Sequence, residues 1–201
     1  MGLTGGLASG KSTVLEVFRA QGAEVADADR FAREALSPGS PAERAVIEAF
    51  GRSILDPEGR IDRGRLASRV FQDPEARGLL EAIVHPEVIR REELWIDALE
   101  ASGPSGILVV DAALLLEAGR ADRYDVVIVV ACHPEEQVRR AVARGMSEED
   151  ARARIAAQMP VGEKVERADL VIDSSASIED TRAQARAVYR QLERRRSELE
   201  A

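Results

Sequence analysis

The segment Gly5-Gly6-Leu7-Ala8-Ser9-Gly10-Lys11-Ser12 constrains this chain more than any other stretch, because it satisfies G-x-x-x-x-G-K-[ST] in full. Glycines let successive backbone N–H groups converge on phosphate oxygens without interference from Cβ atoms. A helix that starts directly after the loop adds the positive end of its dipole. In such a loop Lys11 reaches the β- and γ-phosphates of a nucleoside triphosphate, and the Ser12 hydroxyl is placed to coordinate Mg²⁺. The alternative is a glycine-rich turn before an unrelated helix. The context favours the phosphate loop: Gly2-Leu3-Thr4 reads as a strand leading in, and Lys11 to Ala20 as a helix leading out.

The rest of the chain supplies a scaffold of the right kind. Glu24-Val25-Ala26, Ile107 to Val110, Val126 to Val130 and Leu170-Val171-Ile172 read as short apolar strands. Helical sequence separates them, over Arg30 to Leu36, Ala42 to Phe50, Pro134 to Arg144 and Ile178 to about Glu198. Ser147 to Asp150 matches a capping box that opens a further helix running to Gln158. Near-continuous apolar strands alternating with helices predict an α/β fold, a three-layer α/β/α arrangement with a parallel five-stranded sheet.

From Asp56 to Ser102 the pattern is mostly helical, too long for a plain crossover. Asp62 is a candidate cap for a helix through Phe71. Asp73-Pro74 reads as a cap followed by proline at the first helical position. His85-Pro86 is expected to start a new helix carrying Val88, Trp95 and Leu99, broken by Gly103-Pro104. The expected organisation is therefore a nucleotide-binding core over 1–55, 103–132 and 165–201. A helical substrate-binding insertion would cover 56–102 and a lid 133–164.

The formal net charge of −8 argues against a sequence-independent nucleic-acid binder, which would be basic. No apolar run approaches the length of a membrane span, and the N-terminus does not read as a signal peptide. The single cysteine, Cys132, excludes an intrachain disulfide and suits a reducing cytosol. It follows a strand and reads as an inert buried thiol. Trp95 reads as core of the helical insertion, and Arg194-Arg195-Arg196 as a solvated helix end. A monomer or weak homo-oligomer in the cytoplasm is expected.

Carboxylates should gather at the loop. In a right-handed β-α-β crossover the next parallel strand ends on the same edge, so the strand at Val25 delivers Asp27 and Asp29 there. Kept extended, the chain would point both to one side. The strand ending at Val110 delivers Asp111. A phosphotransferase needs one carboxylate to orient the acceptor hydroxyl and take its proton, and others to hold Mg²⁺. Asp29 is the candidate for the first role and Asp111 for the metal shell. The competing role for each Asp is to cap the following helix. Arg140 and Arg144, four apart on one expected helix, share a face and are candidates to stabilise phosphoryl charge from a mobile lid. The competing arrangement pairs Arg140 with Glu136 on a solvated face.

Taken together these segments resemble the dephospho-CoA kinase family. The opening Gly2 to Ser12 is similar to that family's GLTGGIGSGKS, and Asp27-Ala28-Asp29 with Ala32-Arg33-Glu34 to its D-A-D…A-R-E. His85-Pro86 matches its H-P pair, and Asp111 to Glu117 its D-x-P-L-L-x-E. Arg140, Arg144, Gln158 and Ala168-Asp169 fall where the family has them. The resemblance implies ATP and Mg²⁺ as cofactors and dephospho-CoA as substrate, phosphorylated on the ribose 3′-hydroxyl. It implies ATP-phosphate contacts by Gly6, Ala8, Ser9, Gly10, Lys11, Ser12 and Thr13, and catalytic roles for Lys11, Asp29, Arg140 and Arg144. Substrate contacts are implied at Thr4, Asp29, His85, Leu115 and Glu117, and metal contacts at Ser12 and Asp111. His85 is read either as a helix cap or as a substrate contact.

Three positions depart from the family pattern. Only Met1 precedes Gly2, which leaves a short central strand. Ala113 stands for the usual proline, and Ser174 and Ala176 stand where the family tends to have Asn and Gly, in a loop expected near the adenine. The remaining alternatives are another small-molecule or nucleoside monophosphate kinase on the same scaffold, or a nucleotide-gated interaction protein. The last of these would be expected to carry a guanine-specifying N-K-x-D motif, and the sequence has none.

Overall fold

Five short strands, β1 (Gly2–Gly5), β2 (Glu24–Asp27), β3 (Leu108–Asp111), β4 (Val127–Ala131) and β5 (Leu170–Asp173), form one parallel sheet in the order β2-β3-β1-β4-β5. These come from a computed structural model that describes residues 1–71, 73–102 and 106–199. Leu3 of the central strand stands opposite Asp111 of β3 and Ile128 of β4, and Val130 stands opposite Ile172 of β5. Because β3 and β4 flank β1, the order of strands reverses there. The crevice beyond the carboxyl ends at such a reversal is where open α/β sheets take ligands. The short first strand gains support from Met1, whose amino group donates to the Leu108 carbonyl at 2.8 Å and whose carbonyl accepts the Val110 amide at 2.9 Å.

The strands are buried because both faces are covered. On one face Leu3, Val109, Ile128, Val130 and Ile172 pack against Val14, Leu15 and Phe18 of α1 (Lys11–Ala20). They also meet Ala185, Val188, Tyr189 and Leu192 of the C-terminal helix (Ile178–Leu199). Phe18 and Tyr189 meet ring to ring at 5.6 Å, and the Tyr189 hydroxyl donates to the Gln21 carbonyl. Burying each large side chain here stabilises the fold by about 1.5–3 kcal/mol. Strand alternation turns Thr4, Val110, Val127 and Val129 to the other face, where they too are buried.

The described chain divides into two compact units, Met1–Ala26 with Ser105–Ala201, and Asp27–Pro104. The division falls at residue 27, upstream of the boundary at 56 expected from the helical run. The cause is packing: α2 (Ala28–Ala35) and α3 (Pro41–Phe50) lie against α5 (Pro74–Ala101), with Phe31 of α2 set 6.4 Å from Trp95. A second correction concerns α5 itself. Asp73 caps it as expected, accepting the Glu75 and Ala76 amides, but His85-Pro86 starts no new helix. Pro86 lies inside one 28-residue helix, where it forfeits the bond to the Ala82 carbonyl. Val84 and Val88, one turn apart and buried on either side of it, hold the helix together. α4 (Arg63–Phe71), after Asp62, completes this unit. Gly103-Pro104, read as the breaker, lies outside the described residues.

In the first unit the expected helix pair is α6 (Pro134–Ala143) and α7 (Glu148–Ala156), with the Ser147 hydroxyl capping α7 by accepting the Asp150 amide. A short helix that sequence periodicity did not indicate, α8 (Val161–Glu166), follows and packs on β4; α9 (Ile178–Leu199) closes the chain. Six residues are too few to carry a period. Among the described residues, no helix is long and apolar enough to cross a membrane.

Candidate active site

The loop between β1 and α1 is wound as the sequence requires. Gly10 caps α1 in the left-handed conformation, with φ +89°, which a side chain would resist. Ala8 also has positive φ, at +53°, a strained choice for a residue with a Cβ and one that gathers at functional sites. Among the described residues, the amides of Ala8, Gly10, Lys11 and Ser12 find no acceptor. Those of Lys11 and Ser12 open a helix and so lack a carbonyl one turn back. Lys11 reaches back over the loop to the Gly5 carbonyl at 3.3 Å. Ser12 is exposed in the first turn, Thr13 half-buried beside it, and Ser9 buried.

Three outside groups hold this loop. Gln158, just past α7, accepts the Leu7 amide at 2.8 Å. The Ser174 hydroxyl, buried after β5, lies between the carbonyls of Ser9 and Ala131. Arg140 of α6 donates to the Ser174 carbonyl at 2.6 Å and to Glu136 at 2.7 Å. A Cβ on Gly10 would lie 3.6 Å from its Nη1, so the guanidinium stands next to the loop. Arg139 and then Arg140, bonded to Glu136, hold its carboxyl down at about 2. Arg140 thus combines the two expected roles: it pairs with Glu136 and it faces the loop. Arg144 does not join it. α6 ends at Ala143, so Arg144 is the exposed C-cap and not a second residue on the same face. Arg139 and Arg152 are engaged with Glu136, Glu135 and Glu148.

The carboxylates separate by role. Asp111 is the last residue of β3, at the carboxyl edge beside β1, and is half-buried. Asp27 ends β2 and caps α2, accepting the Asp29 amide at 2.8 Å and Arg33 at 3.1 Å. Its two oxygens are therefore in structural use. The chain turns helical at Ala28, so Asp27 and Asp29 do not extend side by side as expected. Asp29 is left exposed in the first turn of α2.

Several expected substrate contacts are internal supports. Thr4 is fully buried and its hydroxyl donates to the Ala113 carbonyl at 3.1 Å. Leu115 is 1% exposed. Neither side chain offers a surface to a ligand, which corrects the expectation for both. Glu117 pairs at 2.7 Å with Lys164, itself 1% exposed, and accepts the Met159 amide at 3.0 Å. Lys164 also reaches the Ala113 carbonyl at 3.4 Å. Sequence reading missed Lys164, since a lysine in a short polar stretch carries no sign of burial. His85 is half-buried in the middle of α5 and caps nothing. Among the described residues no group of three or more His, Cys, Asp or Glu could hold a metal by itself. A hydroxyl and a single carboxylate, from Ser12 and Asp111, suit instead an ion carried mainly by substrate phosphates, as Mg²⁺ is.

Comparison with known proteins places this geometry. The family model described as Dephospho-CoA kinase matches residues 1–180. The chain is 50% identical over 181 residues to the dephospho-CoA kinase of Geobacter sulfurreducens, covering 90% of this chain and 91% of that one. The solved structure of TT1252 from Thermus thermophilus is 38% identical with a TM-score of 0.80, covering 95% of this chain and 96% of that one. Dephospho-CoA kinase from Campylobacter jejuni is 27% identical with a TM-score of 0.70, covering 96% of each chain.

Proposed function

The chain belongs to the dephospho-CoA kinase family, and from that premise we propose that it transfers the γ-phosphoryl group of ATP to the ribose 3′-hydroxyl of dephospho-CoA, in the cytoplasm. The observation that carries the reading is the loop of acceptor-less amides between β1 and α1, with Lys11 across it and Arg140 beside it. A polyphosphate supplies the acceptors these donors lack. Phosphoryl transfer asks the protein mainly for positioning and charge stabilisation, and this donor set is suited to both.

In this mechanism the loop amides and Lys11 hold the β- and γ-phosphates, and Arg140 offsets charge that grows on the transferred group. Arg144 joins from the end of α6 if the segment 133–164 closes as a lid. Asp29 accepts the proton of the 3′-hydroxyl as its oxygen attacks phosphorus and the ADP oxygen leaves. Its support is chemical: Asp27 does the capping, so the Asp29 carboxylate remains available. Ser12 and Asp111 would hold Mg²⁺, which neutralises phosphate charge when bound. The helical segment 56–102, with His85 on it, takes part in holding the acceptor.

The test is product analysis. Incubation with Mg-ATP and dephospho-CoA should yield CoA and ADP in equal amounts. Folded protein that binds ATP and makes no CoA would refute the substrate assignment. Asp29→Asn should bind ATP normally and lose turnover by about 10²–10⁴-fold; near-normal turnover removes Asp29 from the base role.

A further inference from the structure

α6, the end of α7 and α8 enclose a cavity of about 290 Å³ that reaches the phosphate loop at Gly6. Most of its wall is apolar, from Pro134, Ile155, Met159 and Val161. Two amide side chains interrupt it, and backbone groups fix the direction of each. Gln137, 3% exposed, donates through Nε2 to the Cys132 carbonyl at 2.8 Å, so Oε1 is its remaining acceptor. A Cβ on Gly6 would sit 2.9 Å from that oxygen; the amide has its place because residue 6 is glycine. Gln158 accepts the Leu7 amide through Oε1, so Nε2 is its remaining donor.

A cavity with one oriented acceptor and one oriented donor between apolar walls selects a flat ring with the complementary pair. An amino group next to a ring nitrogen is that pair, and adenine presents it. Hypoxanthine presents the reverse, a ring N–H beside a carbonyl. We propose that this cavity binds the adenine ring of a nucleotide in the transfer, with Gln137 accepting from the exocyclic amine and Gln158 donating to a ring nitrogen. The proposal rests on the function proposed above, in which both ATP and dephospho-CoA carry adenine. The two sources share the recognition chemistry and are separated by the test.

Gln158→Glu keeps an oxygen for the Leu7 amide and replaces the donor by an acceptor. Each nucleotide is titrated calorimetrically, ATP against ITP and dephospho-CoA against its deaminated hypoxanthine analogue, and KM is measured for the same pairs. In Gln158→Glu one pair should lose about tenfold or more of its adenine preference. Loss in the ATP pair assigns the cavity to the donor, and loss in the other pair to the acceptor. Ile155→Trp, which fills the cavity from an apolar wall, should weaken that same nucleotide and spare its partner. Unchanged preference in both pairs, or a uniform fall in kcat with both ratios preserved, overturns the proposal and leaves Gln158 as a clamp on the loop. The titrations need no turnover, so a wild-type protein that discriminates adenine yet makes no CoA would refute the function and not the cavity.

Discussion

Glu117→Gln isolates the charge of one buried pair. The substitution keeps an oxygen for the Met159 amide and removes only the partner of Lys164, whose side chain is 1% exposed. The ammonium would be left with the Ala113 carbonyl at 3.4 Å, a weak acceptor for a full charge. Breaking a buried pair from one side costs about 3–5 kcal/mol. Glu117 retains 21% side-chain exposure, so water can reach the vacated side and the lower end applies, about 3 kcal/mol. For a chain of this length that lowers Tm by roughly 6–12 °C. Urea unfolding followed by circular dichroism should show a lower midpoint with an unchanged slope. The double variant Glu117→Gln with Lys164→Met removes the stranded charge and should regain about half the loss. If Glu117→Gln stays within 1 kcal/mol of wild type, or the two substitutions simply add, the pair does not hold the β3 loop to α8.

Glu136 gives a pH test. Its carboxyl is held at about 2, below its ordinary 4.5, by Arg139 and Arg140. A depressed folded-state value stabilises above pH 4.5, and the contribution disappears as pH falls from 4.5 towards 2. The stability gap between wild type and Glu136→Gln should therefore close over that window in acid urea titrations. Cys132 is buried, and burial raises its thiol above the ordinary value. Ellman's reagent at pH 8 should titrate it slowly in the native protein and at once in guanidinium. Gly5→Ala places a methyl group 2.6 Å from both the Val130 carbonyl and the Ser9 hydroxyl. The backbone of β1 must move, which costs about 1–3 kcal/mol and should abolish tight ATP binding measured by calorimetry.

Where sequence and structure agree, the signal was local and chemical. Gly5 to Ser12 specified its own winding, and Lys11–Ala20 follows as the helix it requires. Asp73 and Ser147 announced helix starts because caps act on amides two or three residues away. Where they differ, a distant contact decided. Pro86 should end a helix, yet Val84 and Val88 lock it inside one. Arg144 keeps helical spacing from Arg140, but the helix stops one residue short of it.

By itself, the sequence determined the parallel α/β scaffold, the phosphate loop and the order in which candidate carboxylates and arginines reach it. These depend on periodicity, glycine placement and residue chemistry over a few positions. Only the tertiary structure decided which polar groups are engaged inward. Thr4 and Glu117 hold Ala113 and Lys164, Asp27 caps α2, and Ser174 and Gln158 brace the loop. The physical reason is that a polar side chain is committed by burial and by the partner it finds. That partner often lies far along the chain, as Ser174 lies from Ser9 and Gln158 from Leu7.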